Sequence, residues 1–220
     1  MAPPKVTLYV DIVSPFAYIA FHVLKNSSTF AKCEVTYVPI FLGGLFQQCG
    51  NLPPLNIKNK NRWINAERIR WAKYFSVPIC DTPPKGFPIS TVAVQRALCV
   101  IAQQSPQKLP AAIEALYHSF WVQSNSEIGK PAGFGPILES VLGPEATKEV
   151  LNAITQPEVK ALLPANTDRA FKAGAFGLPW FECTNAAGEQ QGFWGIDHLG
   201  QVVDFLGLER GKEAGFKALL

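Results

Sequence analysis

The sequence predicts an α/β fold, in which strand-rich segments at both ends of the chain enclose a long helical segment. Runs rich in β-branched residues occur at residues 5–10 and 34–40, and strand-like runs return only after residue 177. Between them, apolar residues recur at helical spacing from about residue 43 to residue 174. With 220 residues, of which 48% are hydrophobic and 17% charged, the chain can bury a substantial core.

The front of the chain predicts a strand, a helix and a second strand. Residues 5–10, KVTLYV, alternate between polar and apolar side chains and indicate a strand. Pro15 occupies the first helical position, which proline favours, and residues 16–24 continue at helical spacing. Residues 34–40, EVTYVPI, indicate the second strand. This order within roughly 35 residues is typical of a β-α-β unit with parallel strands.

The middle of the chain predicts six helices. Several of them begin with Pro, Ser or Asn, which suit helix starts. Prolines and glycines punctuate the gaps, but none of these gaps resembles a flexible linker. The predicted helices span residues 61–75, 90–103, 110–122, 136–142, 144–155 and 166–173.

The end of the chain predicts a β-hairpin followed by a helix. Residues 178–184, LPWFECT, and 190–194, QQGFW, flank NAAGE, a short connection that contains glycine. Asp197 is then expected to cap the closing helix. The apolar face of that helix consists of Leu199, Val202, Val203 and Leu206.

This order of elements is that of a thioredoxin-like domain split by an all-helical insertion. The thioredoxin-like domain comprises residues 1–42 and 175–220, with the arrangement βαβ…ββα, and the helical insertion comprises residues 43–174. Ser14 is expected at the N-terminus of the first helix.

Composition and charge exclude several classes of partner. The net charge of +3 is too small to indicate a nucleic acid or a polybasic membrane contact. No apolar run approaches the ~20 residues that cross a bilayer, and the N-terminus lacks the features of a secretory signal. We therefore expect an intracellular, cytoplasmic protein with no membrane partner, while mitochondrial and peroxisomal locations stay open.

The cysteines and histidines do not form a metal or dithiol motif. The five cysteines are odd in number and no pair is spaced C-x-x-C, which argues against a disulfide scaffold, a zinc ribbon and a dithiol redox centre. The three histidines are scattered, so no metal is expected. These residues are Cys33, Cys49, Cys80, Cys99, Cys183, His22, His118 and His198.

A basic and aromatic run, KNKNRWINAERIRWAKYF, covers residues 58–75. Basic side chains interleaved with aromatic rings are one way to bind single-stranded nucleic acid. The helical spacing of Ile64, Trp71 and Phe75 instead predicts a buried face with solvated charges around it. We expect no nucleic-acid partner.

Four motifs taken together resemble a known family. DIVSPFAY, GNLPP, FGLPW and WGIDHL occur in the order seen in kappa-class glutathione S-transferases and in 2-hydroxychromene-2-carboxylate isomerases, within the DsbA-like part of the thioredoxin superfamily. The resemblance implies an enzyme that uses glutathione as co-substrate or cofactor, acts on a small electrophile and forms a homodimer.

Ser14 is the catalytic residue that the resemblance implies. A helix N-terminus favours an anion and lowers the pKa of a thiol placed there. Ser14 supplies only a hydroxyl group, so the thiolate has to arrive with glutathione. The alternative is that Ser14 merely caps its helix, and the two roles are compatible.

The resemblance also implies a glutathione-binding set. Leu178 precedes a cis proline and leaves its backbone free for the tripeptide, Asp197 pairs with the γ-glutamyl amino group, and Asn51 contacts the tripeptide backbone. At position 196 the family has Ser or Asn, and this chain has Ile196. Directly after the acidic residue the family has Arg, and this chain has His198. The full set is Asn51, Lys60, Leu178, Pro179, Ile196, Asp197 and His198.

Each of these residues also has an ordinary structural interpretation. Asn51 can serve a turn, Lys60 can be a solvated charge, Asp197 can cap a helix, and Pro179 can start a strand in the trans form. For the second substrate, the resemblance implies a pocket walled by Phe16, Tyr18 and Trp63.

The leading functional hypothesis is a kappa-like glutathione S-transferase that acts on mostly apolar electrophiles. GNLPP favours this activity, whereas SPFAY and RWAKYF favour the glutathione-dependent isomerase. A disulfide oxidoreductase is disfavoured because residues 14–17 contain no cysteine. A non-catalytic glutathione-binding or chaperone-like module stays open.

Overall fold

The computed structural model describes residues 2–217. A four-stranded sheet has the order β2-β1-β3-β4, with β1 parallel to β2 and antiparallel to β3, and β3 antiparallel to β4. The predicted β-α-β unit and hairpin are therefore confirmed. The strands are β1 (Lys5–Val10), β2 (Glu34–Pro39), β3 (Trp180–Thr184) and β4 (Gln190–Trp194).

The helices fall where the α/β prediction requires them. The first follows β1 directly, seven lie between β2 and β3, and two follow β4 within the described residues. They are α1 (Pro15–Asn26), α2 (Leu42–Cys49), α3 (Lys60–Tyr74), α4 (Val92–Gln104), α5 (Leu109–Trp121), α6 (Pro131–Leu142), α7 (Pro144–Ala153), α8 (Pro157–Lys172), α9 (Leu199–Phe205) and α10 (Ala214–Lys217).

The thioredoxin-like fold with a helical segment between β2 and β3 is confirmed, while the boundaries at residues 42 and 175 stay predictions. Residues 1 and 218–220 of the predicted outer domain lie outside the described residues. None of the helices described is both long enough and apolar enough to cross a membrane.

Two predicted helix starts are wrong and one helix was not predicted, each for an identifiable reason. α6 and α8 begin at Pro131 and Pro157 rather than at the predicted residues 136 and 166, because Pro136 and Pro164 lie inside continuous helices. Each proline removes one backbone hydrogen bond without ending its helix. α2 has no counterpart in the prediction, since its eight residues include two glycines and no side-chain cap.

Arg68 departs from the expectation that the charges of the basic run are solvated. Its side chain is buried in α3, where Nη1 and Nη2 donate to the carbonyl groups of Cys80 and Asp81, each at 2.6 Å. The guanidinium also lies over the ring of Trp121, 5.7 Å from its centroid. Backbone carbonyl groups and an aromatic face replace the water that a sequence pattern assumes around an arginine.

A buried glutamine joins the ends of the two parallel strands. The Gln95 side chain on α4 is fully buried, and Nε2 donates to the carbonyl groups of Val10 at 2.7 Å and Ile40 at 2.6 Å. These carbonyl groups lie at the C-terminal ends of β1 and β2, and α1 and α2 begin from the same side of the sheet. We refer to this side as the edge of the sheet. Gln95 therefore stabilises the edge of the sheet that carries Ser14.

We expect Gln95→Leu to lower the free energy of unfolding by about 1–3 kcal/mol, because the buried Ile40 carbonyl loses its partner. Urea denaturation measures the change. Gln103→Leu, on the exposed face of the same helix, is the matched control and should change stability by less than about 0.5 kcal/mol. Equal stabilities of the two variants would contradict the role of Gln95.

Candidate active site

Ser14 lies in the turn between β1 and α1 and caps the helix. Its Oγ accepts a hydrogen bond from the Ala17 N–H at 3.2 Å, and its own N–H donates to the Asp11 carbonyl at 2.9 Å. The capping interpretation is confirmed. Within residues 2–217 the Ser14 hydroxyl donates to no acceptor. Ser14 is only 4% exposed, so this unpaired O–H group lies largely buried beside the positive end of the helix.

The cis peptide bond predicted between Leu178 and Pro179 is confirmed. Trp180 pairs with Tyr9 across the sheet, so the residues before Trp180 continue beside the residues that follow Tyr9, toward the Ser14 turn. The Pro179 carbonyl accepts from the Gly195 N–H at 3.0 Å, whereas no backbone hydrogen bond within the described chain engages Leu178. Its N–H and C=O can pair with an extended peptide.

Asn51 connects the end of α2 to the segment that contains the cis proline. Its Nδ2 donates to the Phe176 carbonyl at 2.9 Å, and its Oδ1 accepts from the Leu52 N–H at 2.9 Å. Gly50, with φ of 65°, turns the chain at the end of α2 so that Asn51 reaches this position. The turn role proposed for Asn51 is therefore present, and it joins residue 51 to Phe176, two residues before Leu178.

The turn between β4 and α9 carries the predicted acidic residue. Gly195 has φ of 94° and leads into a 3₁₀ turn over Ile196–His198. Ile196 is buried, while the Asp197 side chain is exposed, with Oδ1 3.4 Å from Nδ1 of His198. The prediction that Asp197 caps the closing helix is wrong, since the 3₁₀ turn delays the start of α9 to Leu199 and His198 precedes it.

The residues predicted to wall the second substrate lie in two places. Phe16 is half-buried at the start of α1 and Trp63 is exposed on α3. Tyr18 is buried, its ring 5.1 Å from that of Tyr117, and its hydroxyl donates to the Pro78 carbonyl at 2.9 Å. Tyr18 lines a groove of about 770 Å³ between α1, α5 and α6 that none of the other predicted site residues lines.

Lys60 is the first residue of α3 and is exposed, with no ion pair within residues 2–217. The exposed ammonium group of Lys60 can therefore pair with the carboxylate of a ligand or remain hydrated. Over the same residues, no cluster of His, Cys, Asp and Glu is arranged to hold a metal ion.

Two features near the site had no assigned role in the sequence. Asp11, three residues before Ser14, is fully buried, and its carboxylate accepts a hydrogen bond from the Leu42 N–H at the start of α2. Phe176 and Trp194 are exposed, and their rings lie 4.9 Å apart. Phe176 lies three residues before the cis proline, Pro179, and Trp194 lies three residues before Asp197. A charged residue directly after a buried strand was the signal that could have identified Asp11.

The fold and the Ser14 turn define the class of protein. The chain matches the DSBA-like thioredoxin domain over residues 5–207 and belongs to that family. The resemblance based on four motifs is confirmed by curated relatives. Glutathione S-transferase kappa 1 of Caenorhabditis elegans is 26% identical over 209 residues, which cover 92% of this chain and 91% of the relative.

Two further similarities involve an isomerase. The 2-hydroxychromene-2-carboxylate isomerase of Sphingobium xenophagum is 25% identical over 213 residues, covering 91% of this chain and 97% of the relative. A solved structure of a 2-hydroxychromene-2-carboxylate isomerase superposes with a TM-score of 0.78 at 17% identity, covering 92% of this chain and 94% of the other. The structural similarity confirms the fold.

We expect Ser14→Ala to lower the free energy of unfolding by about 1 kcal/mol, because the Ala17 N–H loses its capping acceptor. Urea denaturation measures the change. Ser14→Thr keeps an oxygen at the capping position and should lie between wild type and the alanine variant. An alanine variant with wild-type stability would contradict the capping role.

Proposed function

We propose that this protein is a kappa-like glutathione S-transferase, which conjugates glutathione to small, mostly apolar electrophiles. The observation that carries the proposal is the Ser14 hydroxyl, which caps α1 and donates to no acceptor in the described chain, with no cysteine at residues 14–17. The names of the curated relatives support glutathione as the thiol source.

Binding of the tripeptide would use groups from three segments. The free N–H and C=O of Leu178 pair with the cysteinyl backbone in the manner of an added strand. The exposed Asp197 carboxylate pairs with the γ-glutamyl amino group, and the Ile196 N–H meets the α-carboxylate. Asn51 borders the tripeptide backbone, and Lys60 meets the glycine carboxylate.

In the chemical step, Ser14 donates a hydrogen bond to the glutathione sulfur. This bond and the partial positive charge of the α1 N-terminus stabilise the thiolate and lower its pKa. The sulfur then forms a bond to an electrophilic carbon, and the displaced group leaves with its electron pair. Stabilisation and placement of the thiolate provide the rate enhancement, without a covalent enzyme intermediate.

The electrophile would contact Phe16, which is half-buried at the start of α1, and Trp63, which is exposed on α3. The ring of Tyr18 packs against Tyr117 of α5. Its proposed contact with the electrophile therefore requires a pocket that extends around α1 to that side. A homodimer and an intracellular location stay predictions, and sedimentation tests the first of them.

The second candidate is the glutathione-dependent isomerase, which uses the same thiolate and regenerates it. The curated isomerase that is 25% identical over nearly the whole chain favours it, as do SPFAY and RWAKYF. Assays of 1-chloro-2,4-dinitrobenzene conjugation and of hydroxychromene isomerisation separate the two activities. Calorimetry that detects no glutathione binding would leave the non-catalytic module.

We expect Ser14→Ala to reduce turnover roughly 100-fold, because a donor to the developing charge is lost. The dissociation constant for glutathione should change less than roughly ten-fold, since the backbone contacts of Leu178 stay in place. Steady-state kinetics and calorimetry measure the two values. Ser27→Ala removes a serine that caps a 3₁₀ turn elsewhere and serves as the control. Full activity of the Ser14 variant would exclude this role.

We expect Asp197→Asn to weaken glutathione binding by roughly ten-fold or more, since a charged partner of the amino group is removed. Calorimetry measures the affinity. Asp204→Asn is the matched control, because Asp204 is exposed on α9 and pairs with Arg210. An Asp197 variant that binds glutathione as tightly as the control would remove Asp197 from the site.

A further inference from the structure

We propose that Asp11 is a positioning residue that holds the Ser14 turn and the start of α2 in one arrangement. The proposal deepens the proposed function and rests on it for the activity that Asp11 would affect. Asp11 itself contacts no substrate in this account. It acts through the two segments that its carboxyl and carbonyl groups join.

The hydrogen bonds of Asp11 reach three neighbouring segments. Its Oδ1 accepts from the Val13 N–H at 3.1 Å and its Oδ2 accepts from the Leu42 N–H at 2.8 Å. Its backbone carbonyl accepts from the Ser14 N–H at 2.9 Å and from the Tyr117 hydroxyl at 3.1 Å. One residue therefore fixes the turn before α1, the first residue of α2 and a tyrosine of α5.

α2 depends on this contact because it has no cap of its own. Phe41 precedes the helix and offers no side-chain hydrogen bond, and its own N–H donates to Thr167 Oγ1 at 3.0 Å. At the first helical residue, Leu42, the Asp11 carboxylate takes the place of a local cap. α2 then leads through Gly50 to Asn51, whose Nδ2 donates to Phe176, two residues before Leu178. A shift at the start of α2 would move Asn51 and the segment that carries Leu178.

The Asp11 carboxyl is fully buried and forms no ion pair within residues 2–217. Burial raises its pKa to about 6, while the Leu42 N–H, the Thr91 hydroxyl and the Val13 N–H lower it. The Tyr117 hydroxyl, whose own pKa is raised by burial, is the remaining titratable group against it. No basic side chain therefore opposes protonation as the pH falls toward 6.

Protonation changes what the carboxyl group can do. It relieves the burial of a charge, but one oxygen becomes a donor, so the N–H groups of Val13 and Leu42 compete for one good acceptor. Because burial raises the pKa of Asp11 above the usual aspartate value, the closed arrangement gains stability as the pH falls through about 6. Above that pH the carboxylate accepts from both segments. Below it the two N–H groups share one good acceptor, so the Ser14 turn and the start of α2 change position relative to each other.

Asp11→Asn tests the proposal, because the amide resembles the protonated carboxyl at every pH. The glutathione thiol ionises in both proteins, so the ratio of wild-type to variant kcat/KM is the quantity that reports on Asp11. We expect this ratio to be roughly ten at neutral pH and to fall toward about one with a midpoint near pH 6. Asp81→Asn, at an exposed position, should behave as wild type. A variant with wild-type kcat/KM and the wild-type pH profile would overturn the proposal.

Amide hydrogen exchange in the absence of glutathione distinguishes this proposal from the proposed function. After correction for the intrinsic rate, protection of residues 42–49 in wild type should rise by up to roughly ten-fold between about pH 7.5 and about pH 5, relative to residues 109–121, because opening exposes Asp11 and returns its pKa to the usual value. Wild type alone supplies this measurement if the variant fails to fold. Protection that does not depend on pH, or that changes equally in both segments, would overturn the proposal even if glutathione binds.

Discussion

The turn between β1 and α1 is the constraint on which the rest of the site depends. Ser14 closes it from one side with its Oγ bond to Ala17, and Asp11 closes it from the other by accepting the Ser14 N–H. The turn places the N-terminus of a twelve-residue helix at the edge of the sheet, where the partial positive charge of the helix favours an anion. In disulfide oxidoreductases a cysteine uses such a position. In this chain a serine stands there, and we propose that the sulfur comes with a bound ligand.

The topology explains why residues so far apart in sequence meet there. β1 lies between β2 and β3, so its end is flanked by the segment that leads into α2 and by the segment that carries the cis proline. Asn51 and the Gly195 N–H then connect to the cis-proline segment through the carbonyl groups of Phe176 and Pro179. Asp11 and Gln95 supply polar contacts at the same edge, the first to α2 and the second to both strands.

Local patterns were sufficient where local physics decides the structure. The alternation in KVTLYV, the Ser-Pro start of α1 and the short connection of the hairpin predicted elements that the structure contains. They were insufficient where distant groups decide it. α2 begins because Asp11 caps it through space, Arg68 is buried because carbonyl groups surround it, and α9 starts late because Gly195 precedes a 3₁₀ turn. Of the site, the cap at Ser14 and the cis proline were predicted, whereas the packing of Tyr18 against α5 depends on a helix 99 residues away.

The central claim is that bound glutathione supplies the reactive thiol and that Ser14 hydrogen-bonds its sulfur. A crystal structure of the protein soaked with glutathione tests this most directly, through the distance from the glutathione sulfur to the Ser14 Oγ. The account predicts a separation of about 3–3.5 Å, with the cysteinyl backbone paired to Leu178. Glutathione bound elsewhere, or bound at this edge with its sulfur directed away from Ser14, would contradict it.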